Sequence, residues 1–259
     1  MKRTVVKIGG ALLGQPLDAF FEALAVLQQA SEVVLVHGGG PQTTAMAERL
    51  GHTPTIVEGR RVTTDLDLDI VKWIIRGQLN VELVAKASQA GIRSLGMSGA
   101  DAGLIQVSKR PLWTVDGKTV DFGHVGDFKH ADPTALLALL QSGIMPVVCP
   151  PGIDQNGSLF NINADTVALE IATAIQADEL ILVTESGGVL NEDKTPIRRL
   201  SLAQSREGVS KGWIAGGMKV KTDIGFSALS RGISSVWISG PASLASKAGG
   251  TQLIEVSHA

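Results

Sequence analysis

The sequence contains a single cysteine, Cys149, which excludes any intramolecular disulfide framework. It sits in the apolar run Met145-Pro-Val-Val-Cys149-Pro-Pro151, so it reads as a buried strand residue rather than a reactive thiol, and a reducing cytoplasm fits. An excess of either charge is also lacking. The 23 Lys and Arg against 25 Asp and Glu give a formal net charge of -2, so no strong field exists to recruit nucleic acid or an anionic membrane. A small neutral or anionic metabolite is the better partner. No apolar run is long enough to cross a bilayer, and the N-terminal stretch breaks at Lys7 and a glycine pair, unlike a signal peptide. The Gly-x-Gly-x-x-Gly of a dinucleotide site, the Gly-Lys-Ser/Thr of a P-loop and any His or Cys metal cluster are missing too. There is neither a repeat of fixed period nor a low-complexity linker.

What is present is an ordinary globular composition, 44% hydrophobic and 19% charged over 259 residues, enough for one large domain or two joined lobes. β-Branched runs alternate with helical spacing from the start. Thr4 to Ile8 and Glu32 to Val36 read as strands, and Leu17, Phe20, Phe21, Leu24 and Leu27 recur at helical spacing between them. Further helices are expected over Pro41 to Leu50, Asp65 to Arg76, Leu79 to Ala90, Thr134 to Gln141, Ala164 to Gln176 and about Gly217 to Ser230. Further strands are expected at Met145 to Cys149, Leu180 to Thr184 and Ser235 to Ser239. Asp116-Gly117 between two β-like runs predicts a hairpin, and Asp154-Gln-Asn-Gly157 a second one. The βαβα rhythm predicts an α/β fold with a mostly parallel sheet covered by helices, its two lobes meeting near Ala177-Asp178.

Glycine clusters punctuate this rhythm: Gly9-Gly10 and Gly38-Gly39-Gly40 follow the first two strands, Ser186-Gly187-Gly188 follows a later one, and Gly216-Gly217 opens a helix. Each could be a tight turn and nothing more. Four of them at strand ends or helix starts fit an anion-handling crevice better, since glycine lets backbone amides approach a phosphate and a helix N-terminus adds unpaired N–H groups. Lys7 lies in an otherwise apolar strand, where an ammonium is costly unless it reaches an anion or carboxylate. Asp165 is either a charge at a helix start or such a partner. Lys219 and Lys221 occupy first helical turns, where the dipole disfavours cations unless an anion binds. Arg60 and Arg61 could grip a carboxylate in a fork.

Six segments in order carry a resemblance: Val6-Lys7-Ile8-Gly9-Gly10, Val36-His37-Gly38-Gly39-Gly40, Gly59-Arg60-Arg61-Val62-Thr63, Gly123-His124-Val125-Gly126, Asn161-Ile162-Asn163-Ala164-Asp165 and Gly216-Gly217-Met218-Lys219-Val220-Lys221. Together they resemble the amino-acid kinase family over nearly the whole chain. Within it the nearest branch phosphorylates the side-chain carboxylate of N-acetyl-L-glutamate with ATP, a cytoplasmic step of arginine biosynthesis. The resemblance implies an αβα sandwich with an acyl-amino-acid and dimerisation lobe over 1–177 and an ATP lobe over 178–259. It implies that Lys7 and Lys221 neutralise the phosphoryl group in flight and that Asp165 holds both lysines. Gly9, Gly10, Gly39 and Gly40 would offer amides to the phosphoryl oxygens and substrate, and Arg61 and Asn161 would hold the acceptor's carboxylate end. Glu185, Ser186, Gly187, Gly188, Gly216 and Gly217 would face ATP, with Mg2+ arriving on the phosphates. Thr184-Glu185-Ser186 departs from the family's usual Asp-Val at that turn, which bears on the nucleotide contacts. No histidine is required, and His37 reads as structural. With only six residues before Lys7, the resemblance further implies a homodimer insensitive to arginine. Sister enzymes acting on succinylglutamate or carrier-linked aminoadipate, and a catalytically silent metabolite sensor, are the alternatives.

Overall fold

The computed structural model describes residues 1–57 and 60–255. Gly59, the first residue of one motif above, lies outside them. Eight strands form the central sheet: β1 (Lys2–Ile8), β2 (Ser31–His37), β3 (Ser94–Ser98), β4 (Met145–Cys149), β5 (Glu179–Val183), β6 (Arg199–Ser201), β7 (Ser235–Ser239) and β8 (Thr251–Ile254). Their order is β6-β8-β7-β5-β1-β2-β4-β3, with every pairing parallel except β7 with β8. The mixed α/β fold is the one expected. Three of the strands, β3, β6 and β8, escape a reading by periodicity: β3, Ser-Leu-Gly-Met-Ser, is poor in β-branched residues, and the other two span only three or four residues.

Strand β1 is central, and its side chains alternate between two cores, as the pleat requires. Val6 and Ile8 join Phe20, Phe21, Leu24 and Leu27 of the helix Asp18–Gln28 on one face. Val5 joins Val167, Ala168 and Ile171 of the helix Ala164–Ala174 on the other. Lys7 shares the parity of Val5, so it projects toward that second helix. This parity brings it to Asp165.

The hairpins appear where expected. Trp113–Val115 pairs with Lys118–Val120, and both turn residues take positive φ, 47° at Asp116 and 73° at Gly117, the left-handed pair that a two-residue β-turn requires. Gly152–Ile153 pairs with Leu159–Phe160 around Asp154 and Gly157, within a four-stranded sheet completed by Ile105–Lys109 and Gly126–Ala131. The expected break between helices over 65–76 and 79–90 is absent. Helical structure runs from Asp65 to Gln89 through a π-helical stretch, Val71–Leu79. Gly77 alone weakens a helix by about 1 kcal/mol, and packing of Ile70, Ile74 and Leu79 on Ala47 opposes a break there. The helix Leu202–Lys211 was not expected either, although Ser201 and Gln204 form a reciprocal cap that was legible in the sequence.

Candidate active site

The carboxyl ends of β1 and β2 run into Gly9-Gly10 and Gly38-Gly39-Gly40, beside a cavity of about 280 Å³. The sheet extends from β1 through β2 on one side and β5 on the other, the kind of position where open α/β sheets take their ligands. Lys7, Gly10, Gly39, Gly40, Arg61, Asn161 and Asp165 all line this cavity. Two helices begin at its wall, Gly40–Arg49 and Ala164–Ala174. Their unpaired N–H groups and positive dipole ends favour an anion there. Gly10 admits no side chain: a Cβ would stand 2.7 Å from Cδ of Pro41.

The Lys7 ammonium lies 2.8 Å from Oδ1 of Asp165, and both side chains are largely buried, at 6% and 14% exposure. That contact is not at a hydrogen-bonding angle, and Oδ1 has no hydrogen bond among the described residues. Asp165 is itself set in the first helical turn, where Oδ1 of Asn163 accepts its backbone N–H at 2.7 Å, an N-cap the Asn-Ala-Asp sequence could have signalled.

Lys221 enters from the helix Gly216–Ser230, its ammonium 3.4 Å from the Gly217 carbonyl. Burial lowers its pKa below that of an ordinary lysine and the Lys7 charge lowers it further, against the opposing pull of Asp165 and Glu185. Lys219 takes another direction, pairing with Asp223 at 2.9 Å in the open. Lys221, Glu185, Ser186, Gly187, Gly188, Gly216 and Gly217 are not part of the cavity lining. In the Glu185 turn, the Ser186 hydroxyl donates to the Gly188 carbonyl at 2.7 Å, and Oε1 of Glu185 accepts from Nε2 of Gln15 at 2.7 Å. Gly9 stays outside the lining, though a Cβ there would be 4.0 Å from the Lys7 nitrogen.

Arg61 donates to Oγ1 of Thr44 at 2.5 Å and faces Oδ1 of Asp67 at 3.5 Å. Burial pushes the Asp67 carboxyl up, but hydrogen bonds from the Thr64 hydroxyl and backbone, with His52 alongside, outweigh it and hold the group below the usual carboxylate range. Nδ2 of Asn161 donates to Oγ1 of Thr63 at 3.3 Å. Val71, Ile75, Pro150 and Ile162 add apolar side chains to the lining. Thr44, Asp67, Val71 and Ile75 were not found by sequence reasoning, because they reach the site only through the docking of separate helices.

His37 does not line the cavity. It is fully buried, Nδ1 bonding the Gly38 carbonyl at 2.9 Å and Nε2 meeting Nδ2 of Asn80 at 3.0 Å. Burial lowers its pKa to about 4, and the Arg76 charge adds to that against the Gly38 bond. The ring is therefore neutral at physiological pH, with Nδ1 as donor. Cys149 is buried against Val71 and Ile75, and burial pushes its thiol up to about 12. It is an unreactive core residue, as its surroundings in the sequence suggest.

One polar cavity thus gathers the Lys7 ammonium, the Arg61 guanidinium and glycine backbone, chemistry suited to anionic groups. The sequence profile of the amino acid kinase family matches residues 2–239. Acetylglutamate kinase from Methanopyrus kandleri is 39% identical over 222 residues, covering 85% of this chain and 87% of that protein. Acetylglutamate kinase from Anaeromyxobacter dehalogenans is 39% identical over 248 residues, covering 93% and 92%. In fold, the chain resembles N-acetylglutamate synthase from Neisseria gonorrhoeae, solved with coenzyme A and N-acetyl-glutamate, at a TM-score of 0.82 and 24% identity over 99% of this chain and 60% of that one. With the family profile covering most of its length and such relatives spanning nearly all of it, this chain belongs to the amino acid kinase family.

Proposed function

We propose that the chain is an acetylglutamate kinase, transferring the γ-phosphoryl group of ATP to the side-chain carboxylate of N-acetyl-L-glutamate in arginine biosynthesis. The observation that supports this is that one cavity is lined by Lys7, Asp165, Arg61 and Asn161 together, with the Lys7 ammonium 2.8 Å from Asp165. In this reading Arg61 and Asn161 hold the acceptor's α-carboxylate, and the side-chain carboxylate lies toward Lys7. An oxygen lone pair of that carboxylate forms the bond to the γ-phosphorus while the bond to the bridging oxygen breaks, and ADP leaves with that electron pair. The acceptor is already ionised at neutral pH, so no proton moves and no general base is needed. Lys7 and Lys221 offset the charge spread over the transferring group, Asp165 keeps the two ammoniums together, and amides of Gly10, Gly39 and Gly40 hold the oxygens in line. Residues 1–177 take the acceptor, while Glu185–Gly188 and Gly216-Gly217 in 178–259 take the nucleotide.

The described residues hold no group of three or more His, Cys, Asp or Glu side chains placed for a metal, and Lys7 occupies Asp165. Mg2+ is therefore proposed to ride on the ATP phosphates rather than on a protein cage. No described helix is long and apolar enough to cross a membrane, and a cytoplasmic site of action is proposed. A homodimer is supported by apolar side chains exposed at the sheet edge, Leu95 on β3 and Val81 on the helical segment packed against it, at 43% and 58% exposure. A test of the activity incubates the protein with MgATP, hydroxylamine and a panel of carboxylates. Hydroxamate is expected with acetylglutamate. Its absence there, with formation on another acceptor, would refute the assignment.

A further inference from the structure

We infer that Trp113 is a positioning residue for the acceptor, anchoring through Arg60 and Phe122 the strand from which Arg61 enters the cavity. The inference rests on the reading of Arg61 as the carboxylate-binding residue. The short strand Arg60–Arg61 has one described strand partner, Ile56–Val57. Adjacent strand residues face opposite ways, so Arg61 turns into the cavity and Arg60 away from it. The Arg60 guanidinium lies over the indole of Trp113, 5.0 Å from its centroid. Arg110 lies over the same ring at 4.8 Å and is fixed by Asp127, whose Oδ1 accepts from Nε at 2.8 Å and lies 2.7 Å from Nη2. The indole also stands edge-on to Phe122 at 5.2 Å between centroids, and Phe122 is fully buried.

The second anchor follows from the backbone. Thr63 donates its N–H to the Phe122 carbonyl at 3.0 Å and accepts the His124 N–H at 2.7 Å. Trp113 thus meets the segment on both sides of Arg61, at Arg60 directly and at Thr63 through Phe122. The same Thr63 hydroxyl receives the Asn161 amide, so both proposed carboxylate contacts hang on this frame. A guanidinium gripping a carboxylate in a fork tolerates little displacement. Thr44 and Asp67 fix its head, while Trp113 fixes its base. The hairpin of residues 113–120, which the phosphoryl chemistry leaves without a role, thereby acquires one in acceptor recognition.

The test measures steady-state kinetics of Trp113→Ala, Arg60→Met, their double mutant and Arg61→Ala in the full-length protein. Arg60→Met keeps the aliphatic stem and removes the cation. Each single variant at the anchor should raise KM for acetylglutamate by about five- to tenfold, the scale of a partly desolvated cation–π contact. KM for MgATP and kcat should stay near wild type, a split that general loss of folding would not produce. The double mutant should be little worse than Trp113→Ala alone, because that variant already removes the contact with Arg60, and Arg60→Lys should recover part of the loss seen in Arg60→Met. Unchanged acceptor KM in Trp113→Ala, or full additivity in the double mutant, overturns the inference while Arg61→Ala still weakens acceptor binding. If Arg61→Ala leaves acceptor KM unchanged, the reading of the site fails and the inference falls with it.

Discussion

Replacing Asp165 with asparagine separates two meanings of one carboxylate. The substitution keeps the shape of the side chain and the backbone N–H that Asn163 caps, and it removes the negative charge 2.8 Å from the Lys7 nitrogen. If Asp165 were only a favourable charge at a helix start, its loss would cost about 0.3–1 kcal/mol. The pair is largely buried, however, and removing one partner strands the other: the cost of breaking such pairs is about 3–5 kcal/mol. Some exposure of Asp165 argues for the lower end, roughly 3 kcal/mol, or a fall in Tm of about 6–12 °C for a chain of this size. Two ammoniums without a counter-charge also make a stronger anion site, so inorganic phosphate or ADP should restore more of the variant's Tm than it adds to wild type. Turnover should fall by about 10²–10³-fold, since preorganised charge at the transferring group is lost. Thermal melts with and without phosphate, and kcat at saturating MgATP and acetylglutamate, measure each point. A loss below about 1 kcal/mol with unchanged kcat would show that Asp165 is a helix-start charge and nothing more.

Lys221→Ala should lower kcat by about 10²–10³-fold while Lys219→Ala, whose ammonium is engaged by Asp223, leaves it near wild type; the reverse result would move the catalytic role to the wrong lysine. Because the Lys221 pKa is depressed and its charge is needed, the alkaline limb of kcat/KM should lie below that of an ordinary lysine, and Glu185→Gln, by removing an anion that supports the charged form, should shift the limb to still lower pH. His37 should tie stability to acid: with its pKa held at about 4 when folded against 6.5 when free, the unfolded chain binds the extra proton between those values. Stability should therefore fall as pH drops from 6.5 to 4, by about 3 kcal/mol from this group, and His37→Gln should flatten that part of a denaturant-melt series. Gly39→Ala would set a Cβ 2.6 Å from Cδ1 of Leu79 and 3.0 Å from Cγ1 of Ile75. A stability loss of about 1–3 kcal/mol with weakened substrate binding is expected, and calorimetry alongside KM measurements would check it.

The sequence alone determined what local chemistry can encode. Alternating apolar runs specified β1, β2, β4, β5 and β7, the Asp-Gly pair specified its left-handed hairpin turn, and glycine clusters marked the ends of β1 and β2. Lys7 stood out because an ammonium in an apolar strand requires a partner, and the ordered motifs suggested Asp165. The tertiary structure decided what depends on how elements dock. That Lys7 meets Asp165 follows from the parity of β1 and the packing of the helix Ala164–Ala174 on that face. That Arg61 is braced by Thr44 and Asp67, from two helices, is recorded in no local pattern. The continuous helix through Gly77 shows the same rule, since packing on Ala47 outweighs a weak propensity. Arg60, Arg110, Trp113 and Phe122 are spread over sixty residues of chain, and only the meeting of two hairpins stacks them. Periodicity reads one element at a time, whereas a site is assembled from the ends and faces of several, so its residue types can be guessed from sequence but their partners are chosen by packing.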